Sequence, residues 1–122
     1  MKSCWLAVLP VLLLGCGPSA EDQAKMKEVK AYFQKIIAAE NHYQSVNQTY
    51  SLNLRELYHF DESLETPPAG YKINGGGGFV LAFGYEFSAT PEKSGPYFYV
   101  NTTGVIRYSL IGPADSDSNP VP

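Results

Sequence analysis

EDQAKMKEVKAYFQKIIAAENHYQSV, residues 21–46, decides the fold, because it is free of both Gly and Pro and carries one periodic apolar pattern. Met26, Val29, Phe33, Ile36, Ile37 and Tyr43 recur at steps of three, four and seven, which places them on one stripe of an α-helix. About 26 residues at 1.5 Å each predict a helix roughly 39 Å long. Lys25, Lys27, Lys30, Gln34 and Lys35 fall off the stripe and are expected in water. Ser19 followed three residues later by Asp22 reads as an N-cap with its acidic partner. Glu21 and Asp22 also suit the positive end of the helix dipole.

Downstream, Asn47-Gln48-Thr49 interrupts the pattern, and Asn53 with Glu56 repeats the capping logic for a short helix through Leu57 or Tyr58. Pro67, Pro68 and Gly70 then close helical structure. Beyond them the period changes to two. A strand is expected over residues 70–73, and a longer one in which Phe79, Leu81, Phe83, Tyr85, Phe87 and Ala89 share a face. Residues 97–100 and 105–110 read as two further strands around Asn101-Thr102-Thr103-Gly104, with Gly104 where a hairpin needs positive φ. Ile106, Tyr108 and Leu110 should face one side of the last strand, with Arg107 and Ser109 on the other. A one-striped helix and a one-faced sheet bury those faces against each other, so the expected class is α+β.

Upstream, Lys2 and the apolar run from Trp5 to Leu14 form the n- and h-regions of a secretory leader, too short to span a bilayer as a helix. The run ends in Leu13-Leu14-Gly15-Cys16, the lipobox of bacterial lipoproteins. The expected organisation is a signal peptide over 1–15, a lipid-anchored tether over 16–20, an α+β domain over 21–111 and a flexible polar tail over 112–122. Cys16 would carry diacylglycerol on its sulfur and a further acyl chain, such as palmitate, on its freed amine; no other cofactor is expected. Two or three chains hold a protein at a membrane, whereas one does so only marginally. Gly17, standing where a sorting aspartate would be, directs the expectation to the outer rather than the inner membrane.

The chain has nine Lys and Arg against twelve Asp and Glu, and cleavage would remove Lys2, leaving eight against twelve and a net charge of −4 on 107 residues. Such a balance supplies no basic face for nucleic acid. With Cys4 in the leader and Cys16 acylated, no internal disulfide is expected. Glu40 lies on the apolar stripe, where a carboxylate needs a partner. It is read as a structural group accepting hydrogen bonds from the loop around residues 47–50. His42, His59, Asp61 and Glu62 lack the spacing of a metal site. The oxygen-rich tail contains Asp115 and Asp117 as calcium candidates, although no bidentate Glu or rigid turn organises it. Residues 75–78 are four glycines without the following helix of a phosphate loop, and are expected to be a flexible strand connection. No nucleophile elbow or matched Ser, His and Asp set appears, so no enzymatic activity is expected. Nine tyrosines and six phenylalanines exceed what a small core strictly needs; core filling is the expected use, with an outer contact surface at Phe98 or Tyr99 as the alternative.

The order of these elements resembles the globular part of type IV pilins and of type II secretion pseudopilins. The similar segments are Ala39-Glu40-Asn41-His42-Tyr43, Asn47-Gln48-Thr49-Tyr50, Leu54-Arg55-Glu56-Leu57, and residues 95–109 with their closing hairpin. The resemblance implies a helix packed on an antiparallel meander and a role in protein contact at the envelope, as an accessory to a pilus or secretion assembly. The long apolar N-terminal helix by which such subunits polymerise is missing from the pattern, so fibre formation is not carried over. A lipoprotein using the same fold to bind calcium or a small ligand is the alternative.

Overall fold

The computed structural model describes residues 17–77 and 84–122. Residues 1–16, with the expected leader and Cys16, lie outside the described residues, as do Phe79, Leu81 and Phe83 of the expected long strand. The architecture is α+β: one long helix, α1 (Ala20–Asn47), and a five-stranded antiparallel sheet. The strands are β1 (Tyr71–Gly76), β2 (Glu86–Pro91), β3 (Tyr97–Asn101), β4 (Arg107–Ser109) and β5 (Asn119–Pro120), hydrogen-bonded in chain order as a meander. Two 3₁₀ helices, Leu54–His59 and Glu62–Glu65, connect α1 to β1.

α1 begins where the capping pattern placed it. The Asp22 amide donates to Ser19 Oγ at 3.1 Å, and the Ser19 amide donates back to Asp22 Oδ2 at 3.4 Å, a complete capping box. It ends at Gln48, which adopts the left-handed conformation with φ of 59° and donates its amide to the Gln44 carbonyl at 2.8 Å. Met26, Val29, Phe33 and Ile36 are buried as the stripe requires, and Ile37 and Tyr43 are half-buried. Tyr32 and Ala39, absent from that stripe, are buried too. Tyr32 follows Val29 by three residues and widens the apolar face, and its hydroxyl donates to the Leu64 carbonyl at 2.7 Å.

The sheet's inner face is set by register. Ile73 pairs with Ala89, Ala89 with Phe98, Phe98 with Tyr108 and Phe87 with Val100. Ala89, Phe98, Phe87, Val100 and Tyr108 join the helix residues in one core, with Ile73 packed against it. Phe98 is therefore an inward residue and cannot serve an outer contact surface. Tyr99 lies on the outer face, where its hydroxyl donates to Glu86 Oε2 at 2.8 Å. β1 continues past the expected Ile73 to Gly76. Gly75 and Gly76, at φ of 137° and 149°, are paired strand residues rather than a slack connection: added Cβ atoms would overlap the Glu86 and Leu52 carbonyls. The Asn101–Gly104 turn forms as read, with Gly104 at φ 80° and its amide 2.8 Å from the Asn101 carbonyl. β4 is shorter than expected, and Leu110 beyond it is exposed.

The tail over 112–122, expected to be loose, has no buried residue, but its last residues are hydrogen-bonded to the domain. Arg107 pairs with Pro120 and Tyr108 with Asn119, adding β5 to the sheet edge, where a proline costs no ladder bond. The Val121 amide donates to the Ile106 carbonyl at 2.8 Å, and Lys30 Nζ donates to the Pro122 carbonyl at 2.9 Å. Thus both ends of the described chain meet near the first turns of α1.

Candidate functional site

Three regions carry polar or exposed apolar groups with something to do. The first is the pole at the start of α1. Gly17 and Pro18, which lead into the capped helix, line a hollow of about 350 Å³ together with Tyr108, Leu110, Ile111 and Asn119. Ile111 is 96% exposed and Leu110 39%, an apolar tip standing in water beside the chain's entry into the helix. A second hollow at this pole, about 470 Å³, runs between Pro18, Met26, Lys27, Lys30, Val121 and Pro122.

The second region is Glu40, which the sequence singled out. It is fully buried, at 0% exposure. Its Oε1 accepts the Ser51 amide at 2.9 Å, and its Oε2 accepts the Ser51 hydroxyl at 2.7 Å. The partner is thus one residue past the expected loop. Burial raises the Glu40 pKa; the two Ser51 bonds oppose that shift, and the neighbouring Glu56 charge adds to it. Glu56 Oε1 accepts the Leu52 amide at 2.6 Å and the Tyr43 hydroxyl at 3.4 Å. Two carboxylates from two helices therefore hold consecutive amides, those of Ser51 and Leu52. The Ser51 carbonyl in turn accepts the Gly77 amide, linking the clamp to the end of β1. All the hydrogen-bonding groups around Glu40 are backbone or hydroxyl, which suits a structural clamp.

The third region is the opposite pole, at the end of α1. Tyr43, Val46, Asn47, Arg55, Glu56, His59 and Phe60 surround a hollow of about 490 Å³. Val46 and Leu52 stand 56% and 58% exposed. The His42 ring packs on Phe60 with centroids 4.4 Å apart, which employs that imidazole as an aromatic partner. Asp61 accepts the Ser63 amide at 3.0 Å and the Ser63 hydroxyl at 2.5 Å, and the hydroxyl bond holds its pKa below the ordinary value. Among the described residues no group of three or more His, Cys, Asp or Glu side chains is arranged to hold a metal ion.

In the tail, Asp115 Oδ1 accepts the Asp117 amide at 2.8 Å and the Ser118 hydroxyl at 3.3 Å. Asp115 thus organises its own turn. Ser51, which the sequence reading missed, carried one signal: a carboxylate on a buried stripe demands nearby donors, and Ser51 is the first hydroxyl residue after Tyr50.

No helix among the described residues is long and apolar enough to cross a membrane. No protein-family model matches the chain, and no curated protein matches it. The class these elements define is an α+β protein in which, among the described residues, one long helix packs against a five-stranded antiparallel meander.

Proposed function

We propose that this is a lipid-anchored, non-catalytic envelope protein with a pilin-like head, acting by protein contact as an accessory to a pilus or secretion assembly. The observation that carries the reading is the run Leu13-Leu14-Gly15-Cys16 placed directly before a capped helix start. Cys16 and Ala20 are four residues apart, so an acylated Cys16 holds the start of α1 within about 14 Å of the lipid. A tether that short keeps the head close to the membrane surface, without by itself fixing its tilt.

The pilin likeness rests on the motifs quoted above and on the helix-then-meander order, which is also the order of the fold. A contact role is favoured by what the polar residues are already doing: Glu40, Glu56, His42, Asp61 and Asp115 are each engaged in holding the chain's own structure. Two measurements test the proposal. Mass spectrometry of the purified N-terminal peptide is expected to find diacylglyceryl on the Cys16 sulfur, and Cys16→Ser should release the protein from membranes. A photo-crosslinking residue at Val46 or Leu52 is expected to capture a pilus or secretion-assembly subunit in intact cells. An unmodified Cys16 thiol would remove the anchor, and crosslinks to no such subunit would remove the assembly.

A further inference from the structure

Beside Gly17 and Pro18 the chain exposes two large aliphatic side chains in a row. Ile111 is almost wholly in water and Leu110 more than a third so, and both line the hollow that Gly17 and Pro18 line. They follow β4 directly, and Gly112, with φ of 154°, turns the chain away behind them. The Ile111 amide donates to Ser109 Oγ at 3.3 Å, so the tip has a defined local turn. Nothing in the core requires an isoleucine at this point.

We propose that the Leu110–Ile111 tip is a second membrane contact, dipping into the lipid interface beside the acyl chains of Cys16 and so fixing the orientation of the head. This rests on the lipid-anchor reading above. The occupant follows from chain connectivity: Cys16 is one peptide bond from Gly17, so a bilayer holding its acyl chains lies against the same hollow. Acyl chains alone attach the head but leave it free to tilt. A second apolar point on the same pole restricts the tilt and directs α1 away from the surface. Asp117 lines the same hollow, and Arg107 donates to the Ser118 carbonyl beside it at 2.7 Å.

The test uses the acylated mature protein in vesicles of phosphatidylethanolamine and phosphatidylglycerol. The chain's single tryptophan, Trp5, is in the leader, so Ile111→Trp and Val46→Trp each give a mature protein with one indole. Brominated acyl chains in the vesicles are expected to quench the Ile111→Trp protein and to leave the Val46→Trp protein as bright as in unbrominated vesicles. Because tryptophan itself favours interfaces, hydrogen exchange of the unaltered protein provides the second readout. The amides of residues 110–112 should slow by roughly tenfold or more on vesicle binding. Mass spectrometry on the same preparation separates the two readings. Acylated Cys16 with an unquenched Ile111→Trp protein and unchanged exchange overturns the second contact and leaves the anchor standing. An unmodified Cys16 overturns both.

Discussion

Glu40 makes the stability of this protein depend on pH in a direction opposite to that of an ordinary salt-bridged carboxylate. Its pKa is raised by burial above the ordinary 4.5. A group bound more tightly to its proton in the fold than in the unfolded chain contributes stability that is complete below the unfolded value. That stability is lost as pH rises through the folded value. Between those two values the loss approaches about 1.4 kcal/mol for each step of one in pH. Glu40→Gln removes the titration while keeping the shape: the amide oxygen still accepts the Ser51 N–H, and the amide nitrogen donates to the Ser51 hydroxyl. Urea unfolding of both proteins from about pH 4 to about pH 8 should therefore show the wild type losing stability relative to Glu40→Gln as pH rises, then a constant difference.

Glu40→Ala behaves differently. It strands the buried Ser51 amide and opens a cavity, and relative to Glu40→Gln, which likewise does not titrate, should cost about 3 kcal/mol or more at every pH. A difference between wild type and Glu40→Gln that is flat across the range would refute the raised pKa. An alanine variant as stable as the glutamine variant would refute the clamp.

Three further perturbations address the rest of the fold. Burial, with the Asp22 charge for Tyr71 and the Glu40 charge for Tyr85 adding to it, pushes both phenols up to about 12. Stability they contribute below the ordinary 10.0 is lost as pH climbs through the folded values, so tyrosinate absorbance for these rings should appear together with the loss of circular dichroism rather than before it. Gln48→Gly relieves a left-handed side chain at the end of α1 and should raise the denaturant midpoint by an amount worth about 0.5 to 1 kcal/mol. Gly76→Ala forces a methyl into the Leu52 carbonyl and should cost several times what Gly104→Ala costs, since nothing lies within 4 Å of a Cβ at Gly104; both can be read by thermal unfolding.

Periodicity and capping made α1 legible over residues 21–46, within one residue of each observed end, because the helix is long, free of breakers and one-sided. The need of Glu40 for donors was equally legible, and only the identity of the donor shifted, to Ser51. The strand faces were harder. Tyr97-Phe98-Tyr99-Val100 is apolar at every position, so alternation cannot say which side is inward; pairing of Phe98 with Ala89 and Tyr108 decides it. β5 was invisible because two residues, Asn and Pro, carry no strand signal of their own and gain their geometry from β4. The second 3₁₀ helix was hidden for a similar reason: Glu62–Glu65 buries only Leu64, whose carbonyl the Tyr32 hydroxyl fixes from across the core. The glycines of β1 were read as slack because their composition says nothing of the carbonyls packed against them.

The packing of the tail has a consequence for how a lipid-anchored head would present itself. Lys30 holds the Pro122 carbonyl, and Val121 bonds to Ile106, so the C-terminus is pinned beside the first turns of α1, the turns that follow Gly17. Both ends of the described chain lie at one pole. The opposite pole is built from the middle of the chain, residues 43–60, and it is there that Val46 and Leu52 are exposed. The 28 residues of α1 separate the poles by about 42 Å. On the lipid-anchored reading proposed above, that separation would hold the exposed Val46 and Leu52 well clear of lipid headgroups, while the carboxylate clamp at Ser51 and Leu52 keeps its loop in register with the helix end. Loosening the clamp should therefore weaken crosslinking from Leu52 more than from Val46, since Leu52 is held by the clamp and Val46 by α1 itself. Glu56→Gln, which weakens the bond to the Leu52 amide without touching the core, is the variant that tests it. Equal loss at both positions would show that the loop is held by something other than these two carboxylates.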